Sequence, residues 1–573
     1  RVASTSADSN GCLVDRVLSV RGLDSAGAPD FLAPSLKHLH DPSLLPGIDR
    51  AAARILDAAA ARHPIAIFGD YDVDGITATA ILYHTLRLLA PEADIRTYVP
   101  HRLDEGYGLS TEALLQLASE GVKLVVSVDC GITACEPART AKHAGLDLII
   151  TDHHTPPSCA AQLPDAYAIV HPRLPTEPPA SHTPYPFGDL CGAGVAYKLA
   201  WRLCTKAAGT PKVAPPVRQH LIDMLVPAAL GVIADVVPLL GENRIIARHG
   251  LALMKQSSIE GLRALIDASR LGGDKIDAED VGFRLAPRLN AAGRMGHARE
   301  ALELLTTATG PRAQEIARSL SKLNDQRRTA ERQIADSASE RAVAEGMAQG
   351  DGRIIVLADA TWHRGVVGIA CSRLVDKFGR PTILLQREGD LCTGSARSID
   401  AYDLHAALDS CSDLLEKFGG HAMAAGLSVR VDRLAQLGER LQAHAAARLT
   451  EGDLVPSIHY DAHARLHELT LDAMSALASL GPFGAGNPRV RLVLRGVRLS
   501  QPVRTLGSSG EHIALHAQQD GRAVRLVGWN LAQHAQGLRA GQLFDAVVEP
   551  KISTWSGPAA IEPEVVDFSR TLS

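Results

Sequence analysis

Four short stretches of this chain carry carboxylates and imidazoles densely enough to do chemistry. GDYDVDG sets Asp70, Asp72 and Asp74 at alternate positions ahead of Gly75. VDCG carries Asp129, and TDHH carries Asp152, His153 and His154. Asp235 stands in the otherwise apolar run GVIADVVPL, where a carboxylate is costly to bury unless it is paired or bound to metal. Several carboxylates cannot all stay ionised within a few ångströms of one another without cations. Oxygen-rich donors with one or two imidazoles suit Mn2+ or Mg2+ better than zinc. Two such ions, about 3.5–4 Å apart, can activate a water and stabilise the leaving oxygen during attack on phosphorus, so no side-chain nucleophile is needed.

Each stretch alone has an ordinary reading. DxDxDG could be a calcium loop, but an EF-hand needs Glu at its twelfth position, and counting from Asp70 that position is Ile81. An Asp after a strand is commonly a helix N-cap, so Asp129 or Asp152 alone would be read that way, and a His pair is commonly polar surface. The signal lies in the combination and its order.

The elements that must position these groups alternate along the chain. A helical pattern from Ile48 is followed by the β-rich run PIAIFG ending at Asp70, then a helix from Gly75 to Leu89. DIRTYVP, KLVVSV and LDLIIT read as further strands, the last two ending at Asp129 and Asp152, with helices between them. That alternation predicts a parallel sheet covered on both faces. Ligands of such sheets bind outside the strand carboxyl ends, so the acidic points should converge on one rim. Residues 172–186 are proline-rich and read as a surface loop. Helices are expected from Ala193 to about Gly250 and a long helical connector over residues 301–350. A second α/β module is expected over residues 351–450, and short Gly-broken β runs from about residue 455 suit a small barrel. The first 45 residues have no clear period.

Composition narrows the class. At 573 residues several domains are expected, and 46% hydrophobic with 21% charged residues suits a globular chain. The net charge of −5 does not announce a nucleic-acid binder, so any attraction for phosphate must come from a local basic cleft. The nine cysteines are scattered and never spaced as CxxC, which supports neither a disulfide framework nor a zinc ribbon and makes a reducing cytoplasm the expectation. The longest apolar run, residues 225–240, contains Pro227, Asp235 and Pro238 and is too short to span a bilayer, so no membrane association is expected. The polar start has no signal-peptide pattern and no initiator Met, so the natural N-terminus is expected to be missing or trimmed.

The four motifs, in this order, resemble those of the DHH phosphoesterase superfamily. Later segments, PHRLDEGYGLS, APRLNAAGRM, WHRGVVGIACSRL, TGSARS and KFGGHAMAAGLS, resemble its RecJ-type exonuclease family, and GPFGAGNP resembles the opening of that family's OB-type domain. The likeness runs roughly from Ile48 to Val547, and the end, KISTWSGPAAIEPEVVDF, departs from the pattern. The resemblance implies an N-terminal segment (1–45), a parallel-sheet DHH domain (46–300), the connector, a smaller α/β DHHA1 domain (351–450) and an OB-like β-barrel (455–573). It implies one metal held by Asp74, Asp129, His153 and Asp235. A second would be held by Asp72 and Asp129 with Asp70 close by, so that Asp129 bridges. His154 would face the scissile phosphate, and Asp152 would orient the His pair. Gly75 would permit a close turn. Arg102, Arg294, Ser395 and Arg397 would bind the 5′ end, with Gly419, Gly420 and His421 gripping phosphate. Each arginine could equally be a structural ion pair, and the glycines a tight turn. Trp362 could stack on a base or pack in a core, while Cys130 and Cys135 read as small core residues.

The implied activity is single-stranded-DNA-specific 5′→3′ exonuclease action that releases 5′-mononucleotides with two Mn2+ or Mg2+ ions, in DNA repair and recombination. The implied protein is a cytoplasmic monomer, with single-strand-binding protein and a RecQ-type helicase as partners. One rival is a phosphodiesterase of short oligonucleotides or cyclic dinucleotides, which would need no C-terminal barrel. The other is a non-catalytic replication scaffold, which should have lost metal ligands.

Overall fold

The computed structural model describes residues 2–4, 11–23, 27–102, 104–175, 185–273, 275–553 and 557–570. Part of the proline-rich stretch 172–186 therefore lies outside the described residues.

Five strands form the first sheet: Ile65–Gly69 (β1), Ile95–Tyr98 (β2), Leu124–Val128 (β3), Asp147–Thr151 (β4) and Ala168–Val170 (β5). Their order is β2-β1-β3-β4-β5 and every pairing is parallel. Strand β1 is buried on both faces: Ile65 and Ile67 enter one core, Ala66 and Phe68 another, the two-residue period of a strand covered by helices on both sides. Helices Ile48–Ala60 (α1), Val73–Leu89 (α2), Gly192–Ala208 (α5) and Leu225–Ala234 (α6) build the larger core. Thr111–Ser119 (α3) and Cys135–His143 (α4) cover the other face.

Register matters most for function. Gly69 pairs with Val128, and Val128 with Thr151. Asp70, Asp129 and Asp152, each the first residue past its strand, therefore stand side by side on the carboxyl rim. Residues 215–234 make the one stretch, among those described, long and apolar enough to cross a membrane. In the fold its second half is a core helix, with Leu225 to Val232 buried among α2, α5 and Gly241–Leu253 (α7).

Helix Ala286–Met295 (α8) leads to the connector, a single 35-residue helix, Gly310–Ala344 (α9), about 50 Å long. The expected connector began at 301. Instead Arg299–Thr306 is a separate helix, because Pro311 lacks an N–H and is tolerated only in a first turn, where it starts α9. Ala313, Ile316 and Leu320 of α9 pack on the first core, while Ile334, Ala338 and Ala342 pack on Arg364–Phe378 (α10) and the second module.

The second sheet holds Ile355–Asp359 (β6), Thr382–Glu388 (β7), Leu391–Arg397 (β8), Leu415–Gly420 (β9) and Ala424–Arg430 (β10) in the order β9-β10-β8-β7-β6. The last module is a closed five-stranded barrel of Leu492–Leu499 (β11), His512–Gln519 (β12), Arg522–Gly528 (β13), Leu543–Glu549 (β14) and Glu564–Arg570 (β15). It runs β11-β14-β15-β13-β12 and closes by pairing β12 to β11. Strand β15, in the middle of that order between β14 and β13, comes from the end of the chain expected to depart from the pattern.

The first part of the N-terminal segment joins this barrel module, while Leu39 and Leu45 pack in the first core. Leu13, Val17, Leu18 and Phe31 lie in the barrel core, and Arg21 donates to Asp461 at 2.8 Å and to Asn487 at 2.6 Å.

Candidate metal centre and nucleic-acid cleft

The rim gathers the acidic points. Asp72 is the N-cap of α2; its Oδ1 accepts from the N–H groups of Asp74 (2.9 Å) and Gly75 (3.1 Å). Gly75 lies so close to Asp70 that a Cβ there would stand 2.6 Å from its backbone N and O. Asp74 points inward and is buried. Its two oxygens accept from Gly192 N–H (2.6 Å) and Ala193 N–H (2.9 Å) at the start of α5, where the helix terminus favours negative charge. Asp129 has φ +63, a left-handed conformation that Asp tolerates better than most residues. A Cβ on Gly192 would stand 2.6 Å from the Asp129 carboxylate, so only glycine fits between Asp74 and Asp129. Asp235 is the C-cap of α6.

His153 Nε2 stands 3.2 Å from Asp129 Oδ1, 3.5 Å from Asp235 Oδ2 and 3.8 Å from Asp74 Oδ2. Asp129 Oδ1, His153 Nε2 and Asp70 Oδ1 are nevertheless buried without a hydrogen-bond partner. Buried polar atoms left unpartnered are costly, and these share one small space. Donor atoms of Asp74, His153 and Asp235 lie within 4.8 Å of one another, as do those of Asp70, Asp72 and Asp129. Burial, helped by Asp74 and Asp72, drives the Asp129 carboxyl well above the usual carboxylate range; burial and Asp72 do the same to Asp70. Asp235 is pushed to about 9 by burial and by Asp74. Burial lowers His153 to about 4, which keeps the ring neutral, as a metal ligand must be. Without cations the cluster must hold protons. Its oxygen-rich donors with a neutral imidazole fit Mn2+ or Mg2+.

Asp152 serves the neighbouring histidine. Burial opposes its charge, but the His154 ring and backbone N–H groups hold its carboxyl down at about 2. Oδ1 faces His154 Nδ1 at 2.8 Å and accepts from the N–H groups of His153 (2.7 Å) and His154 (3.1 Å), and Oδ2 accepts from Ile132 N–H. It therefore orients the ring of His154 and touches only the backbone of His153, a narrower role than orienting the pair. Tyr107, which sequence reasoning missed, places its hydroxyl 3.1 Å from His154 Nδ1 and donates to the Asp129 carbonyl at 3.0 Å.

A basic group adjoins the acidic one. Arg102 lies over the Tyr71 ring at 4.8 Å and its charge eases the Asp70 shift. Arg294, at the end of α8, donates to the Gly365 carbonyl in the first turn of α10 (3.3 Å), bridging the two modules. Burial, with repulsion from Arg102, Arg327 and Arg397, lowers Arg294 to about 10. Arg327 is a second residue the sequence did not single out; Glu331 and Asn324 on its own helix hold it at 2.7 Å each. Ser395 and Arg397 lie against α10 where Gly368 leaves room: a Cβ there would be 3.0 Å from Ser395 Oγ. The β9–β10 hairpin with Gly419, Gly420 and His421 returns beside Arg397, which pairs with Ala424. Gly420 has φ +141 and serves the hairpin turn, whereas Gly419 is open. Trp362 is buried in the α9–α10 core and cannot stack on a base; Arg341 lies over its ring. Cys130 is buried, and Cys135 donates to the Gln162 carbonyl. A cavity of 1570 Å³ runs from Arg294 and Arg327 past the exposed ring of Phe283 to Phe483 and Arg489 of the barrel module.

Comparisons with known proteins agree with this architecture. Residues 64–228 match the DHH family N-terminal domain, residues 351–447 the DHHA1 domain and residues 460–567 the RecJ OB domain. The chain is 38% identical over 549 residues to the single-stranded-DNA-specific exonuclease RecJ of Bacillus subtilis, covering 95% of this chain and 66%, just under two thirds, of that one. It is 32% identical to the Haemophilus influenzae RecJ, covering 91% of this chain and 90% of the relative. The crystal structure of Thermus thermophilus RecJ in complex with Mn2+ superposes with a TM-score of 0.80 at 31% identity, covering 98% of this chain and 76% of that one. Identity of this extent, over a metal-fitting rim, a second α/β module and a closed barrel, places the chain in the RecJ family of single-stranded-DNA-specific exonucleases.

Proposed function

We propose that this chain hydrolyses single-stranded DNA from the 5′ end, releasing 5′-mononucleotides with two Mn2+ or Mg2+ ions, in repair and recombination. The observation that carries the reading is the buried set Asp129 Oδ1, His153 Nε2 and Asp70 Oδ1, unpartnered at the rim where seven acidic or imidazole side chains meet. In this reading Asp74, Asp129, His153 and Asp235 hold one ion, and Asp70, Asp72 and Asp129 the other. Bound there, the ions supply an activated water and neutralise charge on the phosphate. The chain's own groups do the rest. His154, fixed by Asp152, donates a hydrogen bond to the scissile phosphate, and Tyr107 limits the ring's freedom. Arg102, Arg294 and Arg397, none of them ion-paired among the described residues, meet the 5′-terminal phosphate with Ser395, and Arg327 adds to the same field. His421 and the Gly419–Gly420 turn grip the strand from the second module. The barrel extends the track by phosphate neutralisation and stacking.

Asp129→Ala tests the bridge. Activity on single strands should vanish and metal uptake should fall by both ions. Retained uptake of two ions would refute the assignment. By family resemblance the proposal extends to a monomer acting with single-strand-binding protein and a RecQ-type helicase. All nine cysteines are free thiols, which suits a cytoplasmic compartment.

A further inference from the structure

Asp235 opens a short loop, residues 235–240, between α6 and α7. The next residue, Val236, has φ +61 and is 69% exposed. A β-branched residue in that region is strained and persists only where its surroundings hold it there. Two and three residues further on, Pro238 and Leu239 are held by residues 481–488, the segment leading into the barrel. Leu239 N–H donates to the Ala485 carbonyl at 2.7 Å. Gly486 has φ +69, and a Cβ there would stand 3.0 Å from the Pro238 ring. On the other side Asn243 donates to the Pro238 carbonyl at 3.1 Å.

The segment is itself fastened. Asn487 is 1% exposed, donates to the Leu480 and Pro482 carbonyls at 2.9 and 2.8 Å, and accepts from Arg21 at 2.6 Å. Arg244 and Arg248 of α7 donate to the Gly481 carbonyl at 2.9 and 2.8 Å. The same segment lines the 1570 Å³ cavity through Phe483 and Ala485, as Val236 and Leu239 do.

We propose that residues 481–488 are the positioning element for Asp235. Asn487 locks the segment, the segment seats Pro238 and Leu239, and these hold the Asp235 carboxylate against His153. A strand occupying the cavity presses on the same segment, so the substrate path and a metal ligand share one support. The proposal rests on Asp235 being a ligand.

The test is Mn2+ titration of the full chain without DNA, by calorimetry, for Asn487→Ala, Gly486→Ala and Asp235→Asn. Circular dichroism and melting are recorded beside it, and kcat is measured against Mn2+ concentration. Asp235→Asn should weaken one Mn2+ site. Asn487→Ala should weaken the same site roughly tenfold, the scale of losing a ligand's support. Its kcat should recover at high Mn2+, and it should add nothing in the Asp235→Asn background. Gly486→Ala, which leaves the Asn487 bonds alone, should behave alike and carries the test if Asn487→Ala does not fold. Folded loop variants that titrate like the parent while Asp235→Asn does not would overturn the proposal, even if they melt earlier. An unchanged titration for Asp235→Asn would instead overturn the ligand assignment, and the proposal with it.

Discussion

Asp152 and His154 are joined at 2.8 Å through the one carboxylate oxygen that also accepts both histidine backbone N–H groups. The bond fixes the His154 ring and directs its Nε2 away from the carboxylate. Asp152→Asn keeps the volume but removes the charge. Turnover should fall about 10- to 100-fold, as for other groups that orient a working side chain, while both ions still bind. Single-turnover kinetics beside a metal titration checks this; loss of metal in step with activity would contradict it.

Protons and cations compete for the rim. Burial and the neighbouring Asp74 push the Asp235 carboxyl up to about 9, against an ordinary carboxylate value of 3.8. Between these values the folded chain keeps a proton that the unfolded chain has released. That contribution to stability is full below the lower value and is lost as pH rises through the upper one. Cation binding needs the deprotonated ligands. The increase in melting temperature produced by Mg2+ should therefore grow from mildly acidic to mildly alkaline pH. Melting curves with Mg2+ and with chelator across that range measure it, and an increment independent of pH would contradict the shared site.

Arg294 spans the two modules and has Arg102, Arg327 and Arg397 as neighbours. Removing a charge-assisted bond to phosphate costs about 1.5–3 kcal/mol. Arg294→Ala should thus lower kcat/KM on a 5′-phosphorylated strand about 10- to 100-fold and act much less on a 5′-hydroxyl strand. Equal loss on both would show that Arg294 serves domain packing and not the 5′ end.

These groups differ in how legible they were. Asp70, Asp129 and Asp152 could be placed together because each directly follows an apolar run, and parallel register then aligns them. The cradle of Asp74 could not be read, since Gly192 and Ala193 contribute only backbone N–H groups from 118 residues away. Tyr107 lies inside the segment PHRLDEGYGLS, from which only Arg102 was singled out, and Arg327 sits in an ordinary helix pattern with nothing local to mark it. The start of the chain had no readable period because its helix, Leu13–Val20, is only two turns long and its partner is the barrel. Trp362 has two readings in the sequence, base stacking or core packing, and its burial in the α9–α10 core decides for packing.

Product analysis on one single strand, labelled in parallel at either end, tests the account most directly. With Mn2+ or Mg2+, the 5′ label should leave at once as a 5′-mononucleotide and the 3′ label only when the strand is consumed, while a blunt duplex stays intact. Asp129→Ala or excess chelator should stop both. Early release of the 3′ label, or full turnover in chelator, would contradict a two-metal exonuclease acting from the 5′ end.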